Sequence, residues 1–539
     1  MRSQYVACLA TLFAMAGCLR DSSECIVSAD CPEAQVCSSG VCALRTGTAD
    51  TGTASDAGRD ASTDPSDSGT TDASSATDAS DDAGLDASTD AETDACSDTR
   101  CVPFFDVPCE SLVSGYIKPS DTTELDAFGE ALAIHGDVLV VGAPSRGVRG
   151  LWTGAAYVFE RRGGQWVQTA ILEPDVFDLE DRFGEAVTVH GDVIVVGAPG
   201  EDGASTGANG DDVSDGAEDS GAVYVFERNG PGADWSPRAY LKPSNTSVSA
   251  EFGASLAYDG VHLVVGAPNE AGNASGVDDD PSGYDLFGAG AAYVFTQETG
   301  AGWTQGAYLK ASDPGESDRF GVSVSVSDGL VAVGAPNANE GGQAYVYSNR
   351  SGSWAGPDVV TDDLIEPGAF FGQSVSLDGV VLAIGAPGVM TDTKELAGAA
   401  YVYEPNERGA WARTAALRPE NAYAFMQFGD SVALSGETLL VGADGEGSGE
   451  PYFVTTTITE SDSGAAYVFT RTNDDWTSLL EMKSPFVSQD DFFGDRVALD
   501  DKTLAIGMPG DDSSHLGVGT PRTDDDAESS GAVVTYDLE

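Results

Sequence analysis

The pattern of apolar and polar residues repeats seven times between residue 128 and the C-terminus. Each copy opens with Phe-Gly and continues with alternating small and large residues, as in Ala131, Leu132, Ala133 and Ile134. A short turn follows, and then an unbroken apolar run such as the one over 138–141. Alternation with a period of two predicts a strand with two different faces, and the unbroken run predicts a strand buried on both faces.

The distances inside the repeat are constant. In every copy the glycine of a Gly-Ala-Pro-like triplet comes fourteen residues after the first phenylalanine, whose seven positions are Phe128, Phe183, Phe252, Phe320, Phe371, Phe428 and Phe493. An interval without insertions predicts that the first two strands and their turn form a scaffold.

Two further strands complete each repeat. Sequences similar to GAAYVF predict the third strand, and segments that end in sequences such as AYLKP predict the fourth. Seven four-stranded units of about 50 to 70 residues predict an all-β fold, a seven-bladed β-propeller over 112–539, with the small residues of the first strand next to a narrow channel. The last copy stops after its third strand, whereas GYIKPSD precedes the first copy at 115–121. An N-terminal strand is therefore expected to complete the last blade and close the ring.

The N-terminus has the layout of a signal peptide. Arg2 supplies a positive charge, an apolar run covers 5–16, and small residues lead to Cys18. This end resembles a bacterial lipobox, which implies removal of residues 1–17, lipidation of Cys18 and, with Leu19 after it, sorting to the outer membrane. A plain secretory signal is the alternative. In both cases the chain is expected to be exported, where disulfides can form.

Seven cysteines follow in two groups. Residues 18–45 are expected to form a small knot, with two disulfides of open connectivity among Cys25, Cys31, Cys37 and Cys42. This run resembles small knots of bacterial surface lipoproteins; a zinc site is the alternative, although the run contains no CxxC pair and no histidine. The lead-in over 96–111 contains three cysteines, Cys96, Cys101 and Cys109. Because this number is odd, one thiol is unpaired or pairs outside the group.

Residues 46–95 consist almost entirely of Thr, Ser, Ala, Gly and Asp. Such a segment cannot bury enough apolar surface to offset the entropy of ordering, which predicts a disordered acidic linker; a cation-binding or glycosylated stalk is the alternative. The whole chain carries 88 Asp and Glu against 26 Lys and Arg, a net charge of -62. This balance excludes nucleic acid binding through a basic surface and favours bound cations or cationic partners.

The repeated Phe-Gly and Gly-Ala-Pro motifs resemble the FG-GAP repeat family, known from the propeller of integrin alpha subunits and from bacterial surface proteins. The resemblance covers roughly 112–539. It implies extracellular recognition and adhesion, and calcium ions held between the first and second strands by DxDxDGxxD. The chain departs from the family there, because turns such as His190-Gly191 and Asp378-Gly379 carry too few carboxylates for that cage.

The connection that varies in length from repeat to repeat is instead the one between the second and third strands. This connection is short after Pro336 and long after Pro199, Pro268, Asp444 and Pro509. Because strand direction alternates within a blade, these connections leave the propeller on the same face as those between blades, which by resemblance is the ligand face. Variable loops on a rigid scaffold are where ligands usually bind, so a ligand is expected there.

One of these loops has a spacing close to that of a calcium cage. Asp211, Asp215 and Asp219 fall at ligand positions, while Val213 occupies the place of another ligand. A solvated acidic loop is the alternative. Calcium is the only cofactor that the sequence suggests.

Arg496 occupies a small-residue position of the first strand and is expected to face the channel, either paired with a carboxylate or binding an anion. No GxSxG, HExxH or P-loop motif occurs, so no enzyme activity is expected. The resulting hypothesis is a monomeric propeller, lipid-anchored at the cell surface, that binds an extracellular protein or polysaccharide. A glycan-degrading hydrolase on the same scaffold and a purely structural envelope component are the alternatives.

Overall fold

The computed structural model of the chain describes residues 35–38, 41–44 and 112–538, apart from 122, 149–150, 177, 211–214, 282, 299–301, 351, 363–364, 391–394, 421, 450, 452–453, 455–457 and 520–525. The chain divides into two compact units, Met1–Thr99 and Arg100–Glu539. Within the described residues, no helix is long and apolar enough to cross a bilayer. Outside them lie the predicted signal peptide and linker, Cys18, Cys25, Cys31, Cys96, Cys101 and Cys109.

Among its described residues, the first unit contains one antiparallel pair of short strands. Gln35–Ser38 pairs with Val41–Leu44, and the backbone register puts Cys37 opposite Cys42. Two of the four cysteines of the predicted knot are therefore neighbours in the backbone of this pair.

Seven sheets of four or five strands form the second unit, and their strands are lettered A to D from the centre outward. Neighbouring A strands contact one another around a closed ring. From blade 1 to blade 7, the A strands are Ala131–His135, Ala186–His190, Ser255–Tyr258, Val324–Ser327, Ser374–Asp378, Val432–Ser435 and Val497–Asp500. The B strands are Val138–Ala143, Val193–Ala198, His262–Ala267, Leu330–Ala335, Val381–Ala386, Thr438–Ala443 and Thr503–Met508.

Strands C and D form the outer half of each blade. The C strands are Ala155–Arg162, Ala222–Glu227, Ala291–Glu298, Gln343–Arg350, Ala399–Pro405, Ala465–Thr472 and Ala532–Asp537. The D strands are Gln165–Leu172, Ser236–Leu241, Gly302–Lys310, Ser353–Val360, Trp411–Leu417, Asp475–Met482 and, in blade 7, Val113–Ile117. The predicted closure is confirmed, because Val113–Ile117 pairs antiparallel with the last strand of the chain.

Short elements extend some of the loops. Gly276–Val277 pairs with strand D of blade 3, and Val518–Gly519 pairs with strand D of blade 7. Gly147–Val148 pairs with Leu151–Trp152 in blade 1, and Ala338–Glu340 is a 3₁₀ turn in blade 4.

The constant fourteen-residue interval has a structural cause. The Gly129 N–H donates to the Gly142 carbonyl of the same blade at 3.0 Å, and Gly142 packs against Gly184 of the next blade. A Cβ on Gly142 would lie 1.9 Å from the Gly184 carbonyl oxygen. The contact recurs around the ring until Gly507 meets Gly129. The two glycines of each repeat are thus where successive blades touch, and an insertion between them would misalign both.

The core lies between neighbouring blades. The first phenylalanine of each repeat is fully buried, and Phe128 meets Tyr157 and Phe159 of strand C edge-on at 5.4 and 6.1 Å between ring centroids. The small residues of strand A also join blades. The Ser323, Ser325 and Ser327 hydroxyls accept hydrogen bonds of 2.9 to 3.0 Å from backbone N–H groups along strand A of the next blade. In this way, some backbone N–H groups at the innermost edge of the sheet have hydrogen-bond partners.

Candidate functional site

The loops between strands B and C meet the loops between blades on one face, which we call the loop face. The Glu180 N–H donates to the Trp152 carbonyl at 2.9 Å, and the Phe425 N–H donates to the Glu395 carbonyl at 2.8 Å. Each bond joins a between-blade loop to the B–C loop of the preceding blade. The variable loops therefore form a connected surface.

A buried lysine fixes the B–C loop in four blades. In blade 6, Lys483 Nζ at the end of strand D lies 2.6 Å from Glu446 Oε2 in the loop, and neither side chain is exposed. Lys483 Nζ also donates to Ser463 Oγ at 2.7 Å. Burial lowers the pKa of Lys483, and the Glu446 carboxylate opposes that shift. The equivalent pairs, at 2.6 to 2.8 Å, are Lys242–Glu201, Lys310–Glu270 and Lys118–Asp511.

Blade 1 has the same contact with the charges exchanged. Arg146 occupies the loop position and Glu173 the strand D position, and their Nη1 and Oε1 atoms lie 2.7 Å apart. Blades 4 and 5 have buried Ala338 and Val389 in the loop position. These residues lie outside the repeated motifs that predict the fold, so the series was not predicted. The sequence signal for the series is the residue two positions after each Gly-Ala-Pro-like triplet. From blade 1 to blade 7 this residue is Arg, Glu, Glu, Ala, Val, Glu and Asp.

Large apolar side chains are exposed mainly on the loop face. Of seventeen such residues among those described, three lie on D strands, two lie at A–B turns, and twelve lie in B–C or between-blade loops. The twelve are Leu125, Trp152, Leu179, Val248, Tyr284, Phe287, Phe370, Met390, Phe425, Ile458, Leu516 and Val518. Single exposed apolar residues are normal, whereas a concentration on one face indicates an interaction surface.

Three of these residues also have strained backbones. Leu125, Phe370 and Phe425 have φ angles of 66°, 55° and 67°, in the left-handed region that favours glycine and asparagine. Their side chains are 49%, 40% and 54% exposed, so they contribute little packing in return. The left-handed backbone belongs to the repeat, because the residues one and three positions before Phe-Gly also have positive φ angles in other blades, as at Glu180 and Arg182. The exposed apolar side chains, and not the backbone, distinguish these three residues.

In blades 5 and 6, members of this apolar set lie beside glycines of the B–C loops. A Cβ on Gly388 would approach Cδ2 of the Phe370 ring to 2.6 Å, and Met390 follows two residues later. In blade 6, the Phe425 carbonyl packs against Gly445, and Ile458 lies beside Gly447.

The loop face lies on a strongly acidic body. Residues 112–539 contain 68 Asp and Glu against 21 Lys and Arg. Several of the basic side chains are held in the buried pairs between strand D and the B–C loop. A partner of this face would therefore meet apolar side chains surrounded by excess negative charge.

The predicted calcium ligands are only partly described. Asp211 lies outside the described residues, Asp215 is exposed, and Asp219 donates its backbone N–H to Asp202 Oδ1 at 2.8 Å. Across the described ranges, one group of three carboxylates has oxygen atoms within 4.8 Å of one another, and it consists of Asp430, Asp444 and Asp495.

The calcium position implied by the resemblance does not fit this chain. Strands A and B are joined by two-residue turns in six blades, as in the pairing of His135 with Val138. A turn of two residues cannot supply the six to eight oxygen ligands that calcium takes.

Arg496 lies at the channel mouth next to the loop face. It lines a cavity of about 270 Å³ together with Glu130 and Asp430. Its Nη1 is 3.3 Å from Asp495 Oδ2 and 3.6 Å from Asp430 Oδ2. Burial raises the pKa of Asp430 to about 6 and that of Asp444 to about 7, and nearby carboxylates add to both shifts. Among the residues that line this cavity, Arg496 is the one cation and it lies beside several carboxylates.

The opposite mouth contains a histidine pair. The His135 and His190 rings lie 4.2 Å apart between centroids, and the Gly191 N–H donates to His135 Nδ1 at 3.3 Å. Both line a cavity of about 790 Å³ that runs along the A strands. Burial, with a smaller contribution from His135, lowers the pKa of His190.

Comparisons with known proteins identify the repeats. The FG-GAP repeat family matches residues 115–159, 166–226, 303–347, 361–403 and 411–469. Comparison with curated proteins gave no match. Similar solved structures include Sqt1 of Chaetomium thermophilum, with 12% identity and a TM-score of 0.43, covering 79% of this chain and 98% of that chain. A mitotic checkpoint complex chain has 11% identity and a TM-score of 0.42, covering 78% and 95%. The repeat match and the seven closed blades together show that the chain belongs to the FG-GAP repeat family.

Proposed function

We propose that the protein is an exported binding module that recognises an extracellular protein or polysaccharide through its loop face. The observation that carries this proposal is the concentration of twelve exposed apolar side chains on that face. Aliphatic residues such as Leu125, Met390 and Ile458 favour a protein partner, since sugar-binding surfaces depend mainly on aromatic rings and polar groups. The acidic surroundings favour a partner with a basic, apolar surface.

The N-terminal part of the chain supports a role at the cell surface. Lipidation at Cys18 would anchor the protein to the outer membrane, and the linker over 46–95 would hold the propeller away from it. We expect the propeller to act as a monomer.

A binding assay with matched variants tests the proposal. The full chain is presented to arrays of extracellular proteins and glycans, beside a variant with Leu125→Ser, Phe370→Ser and Phe425→Ser. The control carries Val167→Ser, Ile171→Ser and Val359→Ser on D strands, where side chains are also exposed. Loss of at least tenfold in affinity is expected for the first variant only. Equal binding by both variants, or no binding by the unchanged chain, would contradict the proposal.

A hydrolase is the second candidate, favoured by the carboxylates of Asp430, Asp444 and Asp495. Glycoside hydrolysis uses two close carboxyl groups with different pKa values, and burial raises the pKa of Asp444 to about 7. Cleavage of glycans by the unchanged chain that is abolished by Asp444→Asn would favour this candidate. The binding proposal predicts no turnover by either protein.

A further inference from the structure

Three of the long B–C loops return to the outer edge of their own blade in the same way. In blades 2, 3 and 7, one loop residue lies opposite the same register position near the end of strand D, and the three pairs are Ala208–Leu241, Val277–Leu309 and Val518–Ile117. We call the three loop segments that contain Ala208, Val277 and Val518 the edge strands. Each of them adds to the outermost strand of a blade.

The edge strands share a sequence pattern that lies outside the repeat motifs. A carboxylate residue stands six positions before a glycine, and Ala or Val follows that glycine; the three sets are Glu201–Gly207–Ala208, Glu270–Gly276–Val277 and Asp511–Gly517–Val518. The carboxylate of each set forms the buried ion pair with the lysine that follows the paired position of strand D. The three glycines have φ angles of 75° to 79°, which glycine adopts without steric cost. Both ends of the pattern are therefore bound to the same strand.

The edge strand of blade 3 shows what such a segment contributes. The Asp278 N–H donates to the Tyr308 carbonyl at 2.9 Å, and the Tyr308 N–H donates to Asp278 Oδ1 at 2.8 Å. Tyr308 is 5% exposed, and Lys310, which Glu270 holds at 2.8 Å, is 1% exposed. The segment thus bonds the backbone of an outer strand and neutralises its cation.

Among the described residues, blade 5 has the same edge without a strand that covers it. Its strands C and D pair in the register of blade 3, so Ala416 takes the place of Tyr308. By the same register, Arg418 takes the place of Lys310. Both Ala416 and Arg418 are exposed, and buried Val389 occupies the loop position of the carboxylate. Unpaired backbone groups at the edge of a sheet are a template for pairing with another chain.

The remaining blades do not present this combination. In blade 1 the strand D position carries Glu173, which pairs with Arg146, and in blade 6 Lys483 is held by Glu446. Blade 4 has Thr361 at this position. Within the described part of the chain, an exposed basic residue therefore occupies the position in blade 5 alone.

We propose that the outer edge of blade 5 binds an extended segment of a partner protein by strand addition, and that this segment carries a carboxylate six positions before a Gly-Val or Gly-Ala pair. Blades 2, 3 and 7 contain such a segment on the equivalent edge. The carboxylate would pair with Arg418, and the backbone after the glycine would bond to Ala416. Backbone bonds to a sheet edge supply affinity, and side-chain contacts supply specificity.

This edge is independent of the binding surface on the loop face. It uses none of the twelve exposed apolar side chains that carry the binding proposal. Its test also has its own ligand, so failure of either proposal leaves the other standing.

Binding of a synthetic peptide tests the inference. The probe is a fluorescent peptide with the sequence of residues 270–279, which contains the carboxylate and the edge strand of blade 3. Fluorescence anisotropy measures its affinity for the full chain and for the variants Arg418→Glu and Arg408→Glu. Arg408 is matched, because it is an exposed arginine of the same blade, between strands C and D. We expect affinity to fall at least tenfold in Arg418→Glu and to stay within twofold in Arg408→Glu.

An exchange of charges shows which edge the peptide occupies. A second peptide has lysine in place of Glu270, just as blade 1 has Arg146 in its loop and Glu173 on strand D. This peptide should bind Arg418→Glu at least fivefold more tightly than it binds the unchanged chain. A peptide that displaced the edge strand of blade 3 would not respond to the charge at residue 418.

A backbone variant separates strand addition from a simple ion pair. Ala416→Pro removes the edge N–H and should weaken binding of the first peptide at least fivefold, with thermal unfolding as the check that the variant folds. If it does not fold, the exposed Arg418 variant decides. The inference is overturned if the unchanged chain does not bind the first peptide, if Arg418→Glu binds both peptides as the unchanged chain does, or if folded Ala416→Pro binds with unchanged affinity. Self-association of the chain that disappears in Arg418→Glu would assign the edge to a second copy and overturn the partner.

Discussion

Lys483 Nζ lies 2.6 Å from Glu446 Oε2, and both side chains are fully enclosed beneath the loop face. Lys483 follows strand D and Glu446 belongs to the B–C loop, so the pair ties the first turn of a variable loop to the rigid part of its own blade. Beyond Glu446 the loop can differ in length and sequence while its first turn stays fixed to the blade. The pair occurs in blades 2, 3, 6 and 7, which have the long B–C loops, whereas the short loop of blade 4 has buried Ala338 in its place.

Removing one member of this pair should destabilise the protein strongly. Glu446→Gln or Lys483→Met leaves a buried charge or polar group without its partner, and we expect a loss of about 3 to 5 kcal/mol in the free energy of unfolding. The double variant Glu446→Gln with Lys483→Met should lose less than the sum of the two, because no charge is then buried alone. Urea unfolding measures all three. Additive losses would show that the two side chains do not act as a pair.

The glycine contacts between blades give a second prediction. Gly142→Ala would place a Cβ 1.9 Å from the Gly184 carbonyl oxygen, and neither backbone can move without separating two blades. We expect a loss of more than about 3 kcal/mol in the free energy of unfolding. Gly136→Ala is the control, because its φ of 57° is unfavourable for alanine but no atom lies within 4 Å. Its loss should be about 1 to 2 kcal/mol, and an equal loss at Gly142 would refute the contact argument.

Much of the scaffold could be predicted from the sequence because it repeats. The period of two in strand A, the unbroken run of strand B and the fixed Phe-to-Gly interval are local signals, and seven copies reinforce each of them. The strand at 113–117 was predictable because it matches the end of another repeat. The physical cause of the interval, contact between Gly142 and Gly184, involves different blades and was visible only in three dimensions.

The site was less predictable, because its contacts join residues far apart in the chain. Lys118 and Asp511 form a buried pair although they are 393 residues apart, and both look like ordinary surface charges when read alone. His135 and His190 each stand next to a turn in the sequence and nothing in the sequence pairs them, yet their ring centroids lie 4.2 Å apart. The exposure of Phe370 and Phe425 could not be predicted either. Both residues have positive φ angles, which phenylalanine disfavours, so the residue type gives no sign of this conformation.

The histidine pair predicts a stability that depends on pH. The folded-state pKa of His190 lies below the usual value near 6.5, because burial and His135 disfavour its charged form. The unfolded chain therefore takes up the proton first as the pH falls. The contribution of His190 is complete above about pH 6.5 and declines as the pH falls through the lower pKa of the folded state.

Thermal unfolding between pH 5 and pH 8 measures this effect. The midpoint of the unchanged chain should fall more steeply below pH 6.5 than that of His190→Gln, which cannot take up a proton. His262→Gln serves as the control, because His262 is paired with Asp259 at 3.4 Å and lies outside the stacked pair. If the midpoint depends on pH in the same way for the unchanged chain and for His190→Gln, His190 is not the cause of the pH dependence.

The strained apolar residues predict that stability and binding change in opposite directions. Phe425 has a φ of 67° and is 54% exposed, so Phe425→Asn relieves an unfavourable backbone conformation and removes little packing. We expect the free energy of unfolding to stay unchanged or to rise by up to about 1 kcal/mol. Affinity for a partner found with the unchanged chain should fall at least tenfold, because an exposed aromatic side chain on a binding surface is a frequent anchor.

Two measurements on the same variant decide this prediction. Urea unfolding reports the stability of Phe425→Asn, and surface-immobilised binding reports its affinity. Val359→Asn is the comparison, since Val359 is 42% exposed on strand D, away from the loop face. Its affinity should match that of the unchanged chain. A large loss of stability in Phe425→Asn would mean that the ring supports the fold, which would contradict the prediction.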